Sequence, residues 1–442
     1  MNQDSFYQEK VAEILKKAKA KGASEVEVGL TTGAGFSVNV RNQELETIEH
    51  HEDQSMGITV YFGRKKGSAD TSDLSAESMD EALSVACHIA EFTLDDPYSG
   101  LADPSFLAQD WPELDLYHPY PHDIEAAILQ AKDCEKRALS IDSRITCSEG
   151  ANFNTYAGVN VYGNSNGFLA RTQATSHDLS IGLIAEVKGQ KERDHSYSSA
   201  RCFEDLWPVE RIVQDAAKRV LQRLNSRQIP TGKVQVIFEA SVAGSLIGAY
   251  FKGVSGGNLY RKTTCFLDSL GQQIFPESIT LFEDPFVLRG LGSTPFDGEG
   301  VAIAPQNLVE KGIVKSYLLG SYSARQLKMQ TTGHAGGVRN VFVRNTEALE
   351  FQTMLQEMGQ GLVVTELIGQ GLNLLTGDYS RGVSGFWVEN GEVQFPVSEI
   401  TIAGNLKEML RNIRSVGADV DVRKRIQTGS IWVGEMMVAG TS

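Results

Sequence analysis

The chain has 442 residues, 41% hydrophobic and 22% charged, with a formal charge of -15. Such a balance suits a soluble globular protein of about two or three domains, and the negative charge disfavours phosphate backbones and anionic lipid, so neither nucleic acid nor a membrane is an expected partner. The start MNQDSFYQEK carries two acids before any apolar run, and the longest weakly polar run, Ala240 to Phe251, would span only about 18 Å as a helix against about 30 Å of bilayer core. The expected location is the cytoplasm. The cysteines (Cys87, Cys134, Cys147, Cys202, Cys265) are odd in number, scattered and free of C-x-x-C spacing, which predicts reduced thiols rather than a disulfide framework.

Ser5 and Gln8 read as a capping box that opens a helix with Tyr7, Val11, Ile14, Leu15 and Ala18 on one stripe and Gly22 as its stop. Three short alternating strands are predicted next, on Val26/Val28/Leu30, Phe36/Val38/Val40 and Ile58/Val60/Phe62, and then a helix over 75–92. Residues 95–121 hold prolines too closely spaced for a regular element and read as a long connection. A helix over 124–139, strands that include the Asn166-Gly167 hairpin signal, and a helix over 209–224 repeat the earlier order.

The fold class predicted is α+β: an N-terminal region, 1–228, of two similar helix/antiparallel-strand halves (about 1–93 and 123–225), then a mainly antiparallel β domain, 229–442. Within the latter, Asn390-Gly391 divides two arms of a hairpin, and helices are predicted near 241–252, 321–329 and 404–413.

Phosphate-loop and dinucleotide fingerprints fail, because Gly369-x-Gly371 lacks a third glycine at 374 and Gly232-Lys233 has none five positions upstream. Gly253-x-Ser255-x-Gly257 matches a nucleophile elbow, and Asp297 and His334 follow in hydrolase order. That motif needs a strand leading into the serine; here helical sequence precedes it, so a glycine-rich loop is the preferred reading. No histidine pair has metal spacing on a helix. His50-His51 reads as a polar strand end or turn, and Pro119 and Pro121 forbid the helix that would bring His118 and His122 to one face. His334, in TTGHAGG, is a loop histidine expected to be exposed, and the first to test by mutation. Glu283 and Asp284, side by side before Pro285, read as a solvated turn without assigned chemistry.

The stretch VQVIFEASVAGSLIGAYF, Val234 to Phe251, reads as a buried strand running into a helix of small residues that has no His, Cys, Asp or Glu between Ala240 and Phe251. Two long blocks, FDGEGVAIAPQNLVEKGIVKSYLLGSYSARQLKMQTTGHA (296–335) and GQGLNLLTGDYSRGVSGFWVENGEVQFPVSEITIAGNLKEML (369–410), resemble the PmbA/TldD metalloprotease family, and the likeness to its PmbA (TldE) branch extends over essentially the whole chain. The resemblance implies an α+β N-terminal region of repeated units, a β-rich C-terminal domain and a cytoplasmic proteolytic complex of two related chains. It further implies that a TldD-like partner carries a zinc-type metal on an H-E-x-x-x-H helix, with a cysteine nearer its C-terminus.

In this chain the comparable helix is blank, Glu239 is the nearest acid and the last cysteine is Cys265. A divalent site takes about three protein ligands, so no catalytic residue, metal ligand or cofactor of its own is assigned. Gly244, Ser245 and Gly248 form a small-residue ridge and, with His334, are the candidate contacts to partner or substrate. The expected function is that of a subunit in a two-chain peptidase that processes or degrades peptides and unstructured polypeptides, this chain supporting substrate binding and assembly. The alternative is a non-proteolytic binding or assembly module, and below it a serine hydrolase using Ser255. Homodimerisation of the isolated chain is left open.

Overall fold

A computed structural model describes residues 3–440. The chain opens with α1 (Gln3–Ala20), β1 (Glu25–Arg41), β2 (Glu44–Phe62), β3 (Lys65–Thr71) and α2 (Ala76–Phe92), and repeats that order as α3 (Ile124–Leu139), β4 (Ile145–Asn164), β5 (Leu169–Val187), β6 (Gln190–Ala200) and α4 (Val209–Gln222). Helix α1 spans Gln3–Ala20, so Ser5 lies inside it rather than at the residue before it, whereas Gly22 ends it at φ 92° as expected. Ser75 and Asp123 cap α2 and α3 by accepting from backbone N–H groups.

The two halves share one antiparallel sheet, β3-β2-β1-β4-β5-β6. Two of the strands predicted from sequence are a single one: β1 runs unbroken through the polar stretch Thr31 to Gly35 because each residue there pairs on both sides, Gly33 with Asp53 and with Gly158. At Gly35 a Cβ would lie 2.0 Å from the Thr155 carbonyl oxygen, so only glycine lets the ladder close. His50 and His51, read as a strand end or turn, sit mid-strand in β2.

Val26, Val28 and Leu30 pack under α1 and α2, and Val38 and Val40 under α3 and α4. These positions share one parity along β1, so all four helices cover the same face. The opposite face carries Thr31, Asn160 and Thr172 beside Tyr162 and the buried Ala170, which pack with Phe168 and Phe296.

The rest of the chain comprises β7 (Gly232–Phe238), α5 (Ala240–Gly253), α6 (Gly256–Tyr260), β8 (Ile279–Asp284), β9 (Gln306–Glu310), β10 (Ile313–Val314), α7 (Ser321–Gln326), β11 (Asn340–Asn345), α8 (Phe351–Met358), β12 (Gly361–Ile368), β13 (Asp378–Glu389), β14 (Glu392–Asn405), α9 (Leu406–Arg411), β15 (Ser415–Val416), β16 (Ile426–Gln427) and β17 (Ile431–Ala439). The chain is thus α+β with a β-rich C-terminal part. One sheet is β10-β9-β8-β11-β16; in the other, β14-β13-β12-β7-β17-β15, an added β14–β17 pairing closes the first five strands into a ring. The pairs β7–β12 and β11–β16 are parallel, a departure from pure antiparallel pairing. The Asn390-Gly391 turn joins β13 to β14 with both residues at positive φ, as the hairpin signal predicts.

The 95–121 connection has only one short 3-10 turn, Pro104–Phe106, and it is bound to the C-terminal part. Arg325 donates to three of its carbonyls, Tyr98 O at 2.6 Å, Gly100 O at 2.6 Å and Leu101 O at 2.9 Å, and the Tyr322 hydroxyl donates to Asp96 at 2.7 Å. Among the described residues no helix is long and apolar enough to cross a membrane.

Candidate functional site

Strand β7 lies between β12 and β17, and its last residue, Phe238, is fully buried. The chain turns into α5 at Glu239, whose carbonyl accepts from Val242 N and Ala243 N. Its side chain makes no cap; one carboxylate oxygen receives Arg219 at 3.4 Å and the other the Ser241 hydroxyl. The helix buries Ala243, Leu246, Ile247 and Tyr250, spaced i, i+3, i+4 and i+7, against the C-terminal core.

The small residues face two ways. A Cβ on Gly244 would lie 3.3 Å from Ile426 O, and one on Gly248 would lie 3.7 Å from Ile426 Cδ1, so β16 of the same chain covers these two glycines. Ser245 is exposed, its hydroxyl donating to Val242 O at 2.6 Å, and it lines a cleft of about 610 Å³ with Ser241.

That cleft is rich in cations, and most are paired. Arg219 reaches Asp215 at 3.1 Å, Arg223 reaches Asp194 at 3.2 Å and bonds Glu366, and Arg423 reaches Asp421 at 2.8 Å while lying over the Tyr197 and Trp207 rings. Lys424 donates to the Ser241 carbonyl; burial pulls its ammonium below the ordinary lysine value, against the opposing pull of Asp421 at 3.9 Å.

His334 is buried, contrary to the expectation for a loop residue, and its partner is Glu283, which is no solvated turn. The two side chains are 1% and 3% exposed, with His334 Nε2 2.9 Å from Glu283 and Nδ1 2.9 Å from the Thr332 hydroxyl. The other Glu283 oxygen accepts Arg339 N at 2.6 Å. Asp297 is also buried, its carboxylate accepting from the amides of Glu299, Val301 and Ala335, and burial nevertheless raises its pKa above the ordinary range. These residues form no hydrolytic triad: both His334 nitrogens are taken, Asp297 holds amides, and the Ser255 hydroxyl donates to Lys252 O at 2.8 Å.

Three family profiles match the chain: PmbA/TldA metallopeptidase domain 1 over residues 26–90, the central domain over 117–224 and the C-terminal domain over 231–440. It is 48% identical over 439 residues to "Metalloprotease PmbA" of Escherichia coli O157:H7, covering 99% of this chain and 97% of that protein. The chain belongs to the PmbA/TldD metallopeptidase family. Within it, the chain falls in the PmbA branch. The fold agrees with solved structures: a Bacteroides thetaiotaomicron protein described as a candidate modulator of DNA gyrase (TM-score 0.92, 23% identity, 98% of each chain) and TldE of Thermococcus kodakarensis (TM-score 0.81, 21% identity, 98% of this chain and 100% of that one).

Membership in a metallopeptidase family implies a metal, and the residues around α5 do not fit one. A cation placed there would meet the Lys424 ammonium and the guanidinium groups of Arg219 and Arg223, while the carboxylate that precedes the helix, Glu239, is already bound by Arg219 and Ser241 and the cleft's Asp194 and Glu366 are bound by Arg223. Among the described residues no group of three or more His, Cys, Asp or Glu converges as metal ligands would. Sequence reading finds the blank helix because absence of ligand residues is visible in one dimension. It misses the Lys424 ammonium on the Ser241 carbonyl and the Glu283–His334 pair, whose partners lie 183 and 51 positions apart and leave no spacing signal.

Proposed function

We propose that this chain is the subunit of a two-chain PmbA/TldD-type peptidase that holds peptide and shapes the assembly, while a TldD-like partner supplies the metal and the general base. The observation that carries this reading is the replacement of metal-ligand chemistry at α5 by a lysine ammonium and paired arginines.

Peptide holding is also supported by β2. Only Met56 to Phe62 pair with β3, so the outer edge from Glu44 to Ser55 has no neighbouring strand among the described residues, and an extended peptide can hydrogen-bond to such an edge without special side chains. In this proposal Ser245 is the contact on the cleft surface, Gly244 and Gly248 let β16 close over α5, and His334 fixes the loop that follows it.

Co-expression of the untagged TldD-like chain with this tagged chain, followed by metal analysis and peptidase assay of the complex and each separated subunit, tests the reading. The expected result is a stable complex with metal and activity traced to the partner. Stoichiometric metal held by this chain alone, or failure of the two to associate, would overturn it.

A further inference from the structure

The uncovered face of the N-terminal sheet and the loops around residues 291–298 and 335–339 enclose a cavity of about 470 Å³, within the about 300–1,000 Å³ typical of small-ligand sites. Two guanidinium groups line it, and neither has a carboxylate within ion-pair distance among the described residues. Arg339 is only 9% exposed. It spends two N–H bonds on the carbonyls of Gly337 at 2.7 Å and Ala335 at 3.2 Å, and its Nε is buried with no partner among the described residues. Arg425 is exposed at the rim.

The loop itself adds donors. Gly336 and Gly337 adopt φ of 97° and 92°; the Gly337 amide donates to His334 O at 3.0 Å, whereas the amides of Gly336 and Val338 make no hydrogen bond among the described residues. Gly336 sits directly against the guanidinium, where an added Cβ would be 3.7 Å from Arg339 Nη1, so no side chain stands between loop and charge. The one carboxylate of the wall, Asp297, has its oxygens occupied by three backbone amides. Thr31 and Asn160 form part of the floor, the Thr31 hydroxyl donating to Asn160 Oδ1 at 2.9 Å.

A buried guanidinium with an idle N–H is costly unless an anion completes it, and a planar carboxylate matches its geometry. We infer that this cavity binds the free C-terminal carboxylate of a peptide, with Arg339 and Arg425 as the anion's partners. The choice of a peptide as carrier rests on the function proposed above; the carboxylate site rests on the cavity alone.

The probe is a fluorescein-labelled heptapeptide of alanine, glycine and serine, titrated into the full chain and followed by anisotropy. Three forms are compared: free C-terminal acid, C-terminal amide, and an amide carrying one internal glutamate. The expected result is binding of the free acid about tenfold or more tighter than of either amide, lost to a similar extent in Arg425→Ala, a surface change that leaves the fold intact. Arg339→Gln is expected to behave likewise, with its thermal melt recorded beside it. Equal binding of acid and plain amide, unchanged in Arg425→Ala, would overturn the inference and leave peptide holding intact. Tight binding of the glutamate amide would overturn the assignment to a C-terminus, and no binding of any form would overturn both this inference and the peptide-holding role.

Discussion

Beside α5, Arg219, Arg223 and Arg423 each meet at least one carboxylate, and the cleft is an ion-pair network. Beside the 335–339 loop, Arg339 meets only carbonyls, although Glu283 and Asp297 lie near enough to favour its charged form against the lowering effect of burial. The number of cations in a cleft is therefore a poor guide to binding. Paired charges hold the fold's parts in register, whereas a buried charge short of partners is the one that a ligand can complete.

The largest expected effect comes from Glu283→Ala, which strips acceptors from both His334 and the Arg339 amide in a site closed to water. It should cost about 3 kcal/mol of stability, read as a lower urea midpoint at unchanged slope. A loss near zero would mean that the pair is ornamental and would break the contrast between the two regions. Arg223→Ala should cost about 2 kcal/mol, because Asp194 and Glu366 would lose the cation they share. An unchanged melt would show that the α5 network is not the structural element argued here.

The smallest effect is in pH dependence. Burial raises the Asp297 pKa, so as pH falls toward the ordinary value of 3.8 the folded chain takes up a proton there before the unfolded chain does. The stability contribution of this carboxyl therefore increases as pH falls through its folded pKa. Wild type measured against Asp297→Asn, by urea unfolding at neutral pH and near about pH 4.5, should gain relative to the variant on acidification. A relative loss would show that the three amide donors, rather than desolvation, dominate the site.

Much of the architecture is legible along the chain. The stripes of Met79/Leu83/Ala86/Ala90 and Ile212/Val213/Ala216/Val220 mark amphipathic helices because burial of one helical face repeats about every 3.6 residues, and Asn390-Gly391 marks a hairpin because its turn demands positive φ. Helix α8, with Met354, Leu355 and Met358 buried, and the five-residue α6 are not read from sequence: each is too short for its periodicity to stand out. The unity of β1 is hidden for a different reason. Thr31 to Gly35 has the composition of a turn, and only pairing with strands on both sides keeps it extended.

The sequence by itself determined the family, the helix order of the N-terminal halves and a run without His, Cys, Asp or Glu along α5, since each depends on residue identity over a contiguous stretch. The tertiary structure alone decided that Glu283 and His334 are a buried pair, that Ile426 covers Gly244 and Gly248, and that Arg339 has no carboxylate partner among the described residues. Those outcomes depend on which distant segments pack together, and desolvation and charge compensation are properties of the packed neighbourhood rather than of any residue type.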